Sequence, residues 1–120
     1  MGTSKRVLVV DDDAGIRDLV DLALSDQGYE VLAAADGQAA LALVGRTAPD
    51  VILLDMRMPV MDGWAFARAY RAQPGPHAPL IVCTAARDAA ASAAQIQAAA
   101  YLAKPFHVRD LVSCVAAYAA

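Results

Sequence analysis

Long hydrophobic runs are missing from this 120-residue chain. Its apolar stretches are of strand length and are bounded by Asp, Gly or Pro, so none is expected to span a membrane. The first ten residues are basic at Lys5 and Arg6 yet hold no signal-type apolar region with a cleavage site, and the expected location is the cytoplasm. Cysteine is scarce. Cys83 and Cys114 stand far apart without metal-ligand spacing or a disulfide framework, and they read as buried free thiols. Clusters of Lys and Arg are absent too, and a net charge of -3 gives no general attraction for nucleic acid, so direct nucleic-acid binding is not expected. What abounds is alanine. Its 29 copies explain a hydrophobic fraction of 58% without implying an oversized core. The length suits a single domain, residues 1–120, with no internal repeat or interdomain linker.

Strand and helix patterns alternate five times along the chain. Arg6 to Val10 is an apolar run that stops at Asp11-Asp12-Asp13, and Ile16, Leu19, Val20 and Ala23 then follow helical spacing until Gly28. Tyr29 to Ala34 is a second short strand, and Asp36-Gly37 leads into a helix reaching Arg46. Val51-Ile52-Leu53-Leu54 reads as a strand covered on both faces, with Asp55 standing where it ends. Asp62 is the expected N-cap of a third helix, where Trp64 is expected to pack at a boundary, before three prolines impose a loop over residues 73–79. Leu80 to Cys83 is the fourth apolar run, ending at Thr84. Asp88 is expected to cap an Ala-rich fourth helix through about Ala98. Tyr101-Leu102-Ala103 gives the fifth strand, closed by Lys104-Pro105, and Val108, Leu111, Val112 and Val115 stripe a last helix.

Such alternation predicts an α/β fold: a doubly wound five-stranded parallel sheet with five helices on its two faces. Right-handed crossovers bring every strand's carboxyl end to one edge. That edge collects Asp11, Asp12, Asp55, Thr84 and Lys104. Each residue alone has a plain reading as helix cap, strand end or surface charge, but five together mark a site. Carboxylates about 4 Å apart repel by roughly 4 kcal/mol per pair at an effective dielectric near 20. A cation must relieve this. Oxygen-only donors with room for water suit Mg²⁺, and no His or Cys competes for it. A metal, a lysine and a hydroxyl around one carboxylate are arranged to stabilise phosphoryl oxygens while that carboxylate attacks in line, which would make Asp55 an acyl phosphate.

Four segments carry a resemblance. They are Val9-Val10-Asp11-Asp12-Asp13 with Arg17, the run from Asp55-Met56-Arg57-Met58-Pro59 through Val60-Met61-Asp62-Gly63, Thr84-Ala85, and Tyr101-Leu102-Ala103-Lys104-Pro105-Phe106. In this combination the chain resembles, over essentially its whole length, a response-regulator receiver domain of two-component signal transduction. The resemblance implies a flavodoxin-like strand order 2-1-3-4-5, an order known from chemotaxis receivers. It implies Asp55 as phosphoryl acceptor, and Asp11, Asp12, Asp55 and the Arg57 backbone carbonyl as the Mg²⁺ site. It further implies that Thr84 and Lys104 hold the phosphoryl oxygens, that Thr84 and Tyr101 form the switch, and that Lys104-Pro105 is a cis peptide. Implied partners are a sensor histidine kinase or histidine phosphotransfer protein, a downstream effector domain or protein, and a phosphorylation-linked homodimer. Tyr101, His107 and the outer sides of the fourth and fifth helices make the expected output face. The implied chemistry is limited to the domain's own phosphorylation and dephosphorylation.

Gln97-Ala98-Ala99-Ala100 departs from that pattern where receivers usually carry Gly and acidic residues. With Ile96 as its one bulky apolar anchor, the fourth helix is expected to be loosely held. Asp13 receives no role, and Arg57 and Ala86 border the site as expected modulators of water access. Two other functions fit parts of the chain. A haloacid-dehalogenase-like phosphohydrolase would use Asp11 as nucleophile with Ile81-Val82-Cys83-Thr84 and Lys104, but leaves Asp55 and the Met-Pro-x-Met-Asp-Gly run unexplained. A receiver-like module that binds partners without phosphorylation would leave the acceptor, hydroxyl and lysine set unused.

Overall fold

The computed structural model describes residues 4–119. Short apolar runs produce β1 (Arg6–Val10), β2 (Glu30–Ala34), β3 (Val51–Leu54), β4 (Leu80–Ala85) and β5 (Ala100–Lys104). Between and after them lie α1 (Ala14–Asp26), α2 (Gly37–Thr47), α3 (Gly63–Ala72), α4 (Ala86–Gln95) and α5 (Val108–Tyr118). The strands form one sheet in the order β2-β1-β3-β4-β5, and every neighbouring pair is parallel. The expected doubly wound architecture and strand order are therefore present.

Period-2 alternation divides the strand residues between two cores. Leu8, Val10, Ile52, Leu54, Leu80 and Val82 pack with Val44, Phe66 and Tyr70 from α2 and α3 and with Ala93 of α4. Val7, Val9, Val51, Leu53 and Ile81 face the other way, against Val20 and Leu24 of α1 and Leu111 and Val115 of α5. Because the central strands are buried on both faces, their register is strongly fixed, with Val9 opposite Leu53 and Val10 opposite Leu54. Aspartates start three helices. Asp13 accepts from the Gly15 and Ile16 amides, Asp36 from Ala39 and Asp62 from Ala65.

Several boundaries differ from the sequence reading. Tyr29 lies outside β2, whose first residue Glu30 donates its amide to the Lys5 carbonyl. Pairing from Ile81–Ala100 to Ala85–Lys104 carries β4 past Thr84 and lengthens β5 at both ends. As a result α4 begins immediately after β4, and its N-cap is Ala85, which makes no side-chain capping bond. Asp88 sits inside the first turn instead of capping it. The helix also stops at Gln95, short of Ala98, because Gln97 takes the left-handed conformation with φ 54°.

Candidate functional site

Backbone pairing sets the edge that carries Asp11 and Asp55 before any side chain does. The Asp11 amide donates to the Ala34 carbonyl at 3.0 Å, and the Asp55 amide donates to the Val10 carbonyl at 2.9 Å. Both aspartates thus extend the sheet by one bonded residue and project from its carboxyl edge. Carboxylate oxygens of Asp11, Asp12 and Asp55 all lie within 4.8 Å of one another. Asp11 and Asp55 are buried, whereas Asp12 is exposed at the rim. The Lys104 Nζ lies 2.6 Å from Asp11 Oδ2 and 3.6 Å from Asp55 Oδ2. One ammonium therefore bridges two carboxylates, with Asp11 as the nearer partner.

Other groups hold these charges in place. Asp11 Oδ1 accepts from the Asp13 amide at 2.9 Å, and Arg17 Nη1 donates to the Asp11 carbonyl at 2.8 Å. Asp13, to which sequence reasoning gave no role, thus fixes both the start of α1 and the Asp11 carboxylate. The Met56 amide donates to Asp55 Oδ1 at 2.9 Å. Burial first, and the Asp11 charge second, push the Asp55 carboxyl above its usual range, against the opposing Lys104 charge, Met56 amide and Thr84 hydroxyl. Burial acts to lower the Lys104 ammonium, but the Asp11 hydrogen bond and the two carboxylate charges outweigh it and raise the group. Just beneath, burial pushes the Cys83 thiol up to about 12, which keeps it protonated and inert.

The loop after Asp55 is shaped by close approach. A Cβ on Gly63 would lie 2.5 Å from Met56 Sδ and 2.7 Å from the Asp55 carbonyl, so only glycine lets α3 start against the Asp55 backbone. Between them, the Met61 amide donates to the Pro59 carbonyl at 2.8 Å across Val60, whose φ is 70°. This is a γ-turn with a positive central φ, a strained conformation for a β-branched residue. Nothing in the residue types announced it.

The donors fit a hard divalent cation. Three carboxylates converge with no nitrogen or sulfur ligand among the described residues of the cluster, and Asp12 keeps one side open to water. Thr84 is buried near the carboxyl end of β4, and Lys104-Pro105 is cis, as the resemblance implied. Tyr101 is not gathered into the site: the residue is 51% exposed on β5. The Arg57 side chain also turns away, with Nε 3.4 Å from Asp88 Oδ2 and its guanidinium 5.5 Å from the centre of the Trp64 ring. Trp64 in turn donates to Gln95 Oε1 at 2.7 Å, a tie to α4 that the sequence reading did not foresee.

The fold and edge so described match a known family, and its family model, the response regulator receiver domain, aligns with residues 7–116. The chain belongs to the response regulator receiver domain family. This receiver is 39% identical over 114 residues to the response regulator MprA of Mycobacterium leprae, covering 93% of this chain and 50% of that protein. It is 35% identical over 115 residues to the DNA-binding response regulator MtrA of Mycolicibacterium paratuberculosis, covering 94% and 50%. Its fold is similar to the chemotaxis response regulator CheY4 of Vibrio cholerae, with a TM-score of 0.84, 36% identity, and 97% and 99% of the two chains covered. The chain spans about half the length of the two curated relatives. Receivers are signalling domains and not conventional enzymes, which sets aside the phosphohydrolase alternative with Asp11 as nucleophile. Among the described residues no helix is long and apolar enough to cross a membrane.

Proposed function

We propose that this receiver is a phosphorylation-activated switch whose acceptor is Asp55. The observation that carries the reading is a buried carboxylate at the sheet's carboxyl edge, with Lys104 Nζ 3.6 Å away and two further carboxylates in the same cluster. Its raised pKa makes the ionised form a stronger nucleophile, while the neighbouring ammonium keeps that form accessible. An Asp55 oxygen attacks phosphorus as the donor's bond breaks, and the leaving group departs with the bonding electrons. The donor is a sensor histidine kinase, a histidine phosphotransfer protein or a small phosphodonor. Asp11, Asp12, Asp55 and the Arg57 carbonyl would hold Mg²⁺, which supplies positive charge for the phosphoryl oxygens.

Lys104 is already seated between Asp11 and Asp55, so it can follow the new negative charge without crossing the site. The Thr84 hydroxyl is the donor for a phosphoryl oxygen, and Tyr101 turns inward as Thr84 moves. The receiver occupies the whole chain as one unit, acts in the cytoplasm and catalyses only its own phosphorylation and dephosphorylation. Its output face is formed by α4, β5 and α5, including Tyr101 and His107. That face engages an effector domain or protein, or a second phosphorylated copy, and the receiver itself makes no direct nucleic-acid contact. Incubation with acetyl phosphate and Mg²⁺ should add the mass of one phosphoryl group, mapping to Asp55. Asp55→Asn should add none. Equal modification of both proteins would refute the assignment.

A further inference from the structure

The face of α4 that rests on the sheet is built from small residues: Ala89, Ser92 and Ala93 are its buried positions. Polar side chains from α3 and the loop before it reach across to it instead. Arg57 pairs with Asp88 in the first turn, Trp64 donates to Gln95 in the last, and Arg71 donates to the carbonyls of Ile96 and Gln97 beyond it. Of these three ties, only Arg57 belongs to the acceptor loop, two residues from Asp55. Its side chain is 68% exposed, held on one face by the Trp64 ring and at its edge by a single 3.4 Å contact. Such a pair is weak and readily exchanged.

We propose that Arg57 is a charge-operated latch: its guanidinium holds the start of α4 through Asp88 and transfers to the phosphoryl group once Asp55 is modified. The inference rests on Asp55 being the acceptor. A phosphoryl group offers more negative charge than a carboxylate and oxygens that match the guanidinium fork. Departure leaves Asp88 compensated, because Arg87 lies 3.9 Å from the same oxygen and the positive end of α4 favours a carboxylate in its first turn. An inter-element tie thereby becomes one within α4 alone. Arg57 is a positioning residue in this scheme, linking charge at the acceptor to freedom of the helix on the output face.

The test uses isotope-labelled protein with Mg²⁺ and acetyl phosphate, recording intact mass, the Arg57 Nε–Hε resonance and hydrogen exchange over residues 86–95. In wild type, phosphorylation should shift the resonance and speed exchange by about two- to fivefold, the range for one exposed charge pair. Asp88→Asn and Arg57→Gln should show faster exchange before modification and respond less than wild type afterwards. Arg57→Lys should restore part of the protection, since it keeps the charge but not the fork. A phosphorylated protein with a stationary Arg57 resonance, or with variants that respond as wild type does, overturns the latch and leaves the acceptor intact. Absence of added mass on Asp55 overturns the acceptor assignment and the latch with it.

Discussion

Asp55, the proposed acceptor, stands in a position that weakens the fold when no cation is bound. Its folded pKa is raised above 3.8, mainly by burial and then by Asp11, so the folded protein binds that proton more tightly than the unfolded chain does. Above the folded value the ionised carboxylate costs stability. As pH falls through that value toward 3.8, the folded state takes up the proton first and the cost disappears. Asp55→Asn, measured in chelator by urea unfolding, should therefore be more stable than wild type at neutral pH. The gain should be on the order of 1 kcal/mol, as for a partly compensated buried charge, and should shrink on acidification. Val60 is strained for a different reason. Its φ of 70° costs about 1–3 kcal/mol in a β-branched residue, so Val60→Gly should raise stability by about 1 kcal/mol after the entropy of glycine is deducted. Residue types alone made Asp11, Asp12, Asp55, Thr84 and Lys104 legible, because each stands at or just beyond the polar end of an apolar run. Trp64 and Asp88 were not legible as ties, since their partners lie 31 residues away in the chain.

Among the helices, α4 departs most from its expected bounds, starting at Ala86 and stopping at Gln95. Thr84-Ala85 continues a strand because β5 pairs with it, and that pairing is invisible to local pattern. Asp88 resembles a cap, yet the helix has already begun at Ala86. The resulting helix lacks a side-chain cap and buries only small residues, whereas α1 has Asp13 bonded to two amides and buries Val20 and Leu24. Amide exchange in α4 should accordingly be faster than in α1 in the unphosphorylated protein; equal rates would contradict this. The exit of α4 is strained as well. Gln97 occupies a conformation costing about 1–2 kcal/mol for a side-chain-bearing residue, supported by Arg71 on its carbonyl. Gln97→Gly should stabilise the protein by about 0.5–1 kcal/mol in thermal unfolding, the difference between that cost and the entropy of glycine.

For the whole molecule, the alternation of strand and helix sufficed to read a doubly wound sheet, because the two-sided burial of β1, β3 and β4 leaves unbroken apolar runs. Strand order was beyond that pattern. Crossovers of similar length lead to either side of a sheet, and the order 2-1-3-4-5 came with the family resemblance before the pairing of β1 with both β2 and β3 bore it out. The same arrangement sends the carboxyl ends of β1, β3, β4 and β5 to one edge, so that residues up to 93 positions apart, Asp11 and Lys104, touch there. Chemistry at that edge is the central claim, and mass spectrometry after exposure to an isotopically labelled small phosphodonor tests it most directly. Label should appear on Asp55 in wild type only when a divalent cation is present, and should be lost in Asp55→Asn. Label on another residue, or undiminished label in the asparagine variant, would contradict the account.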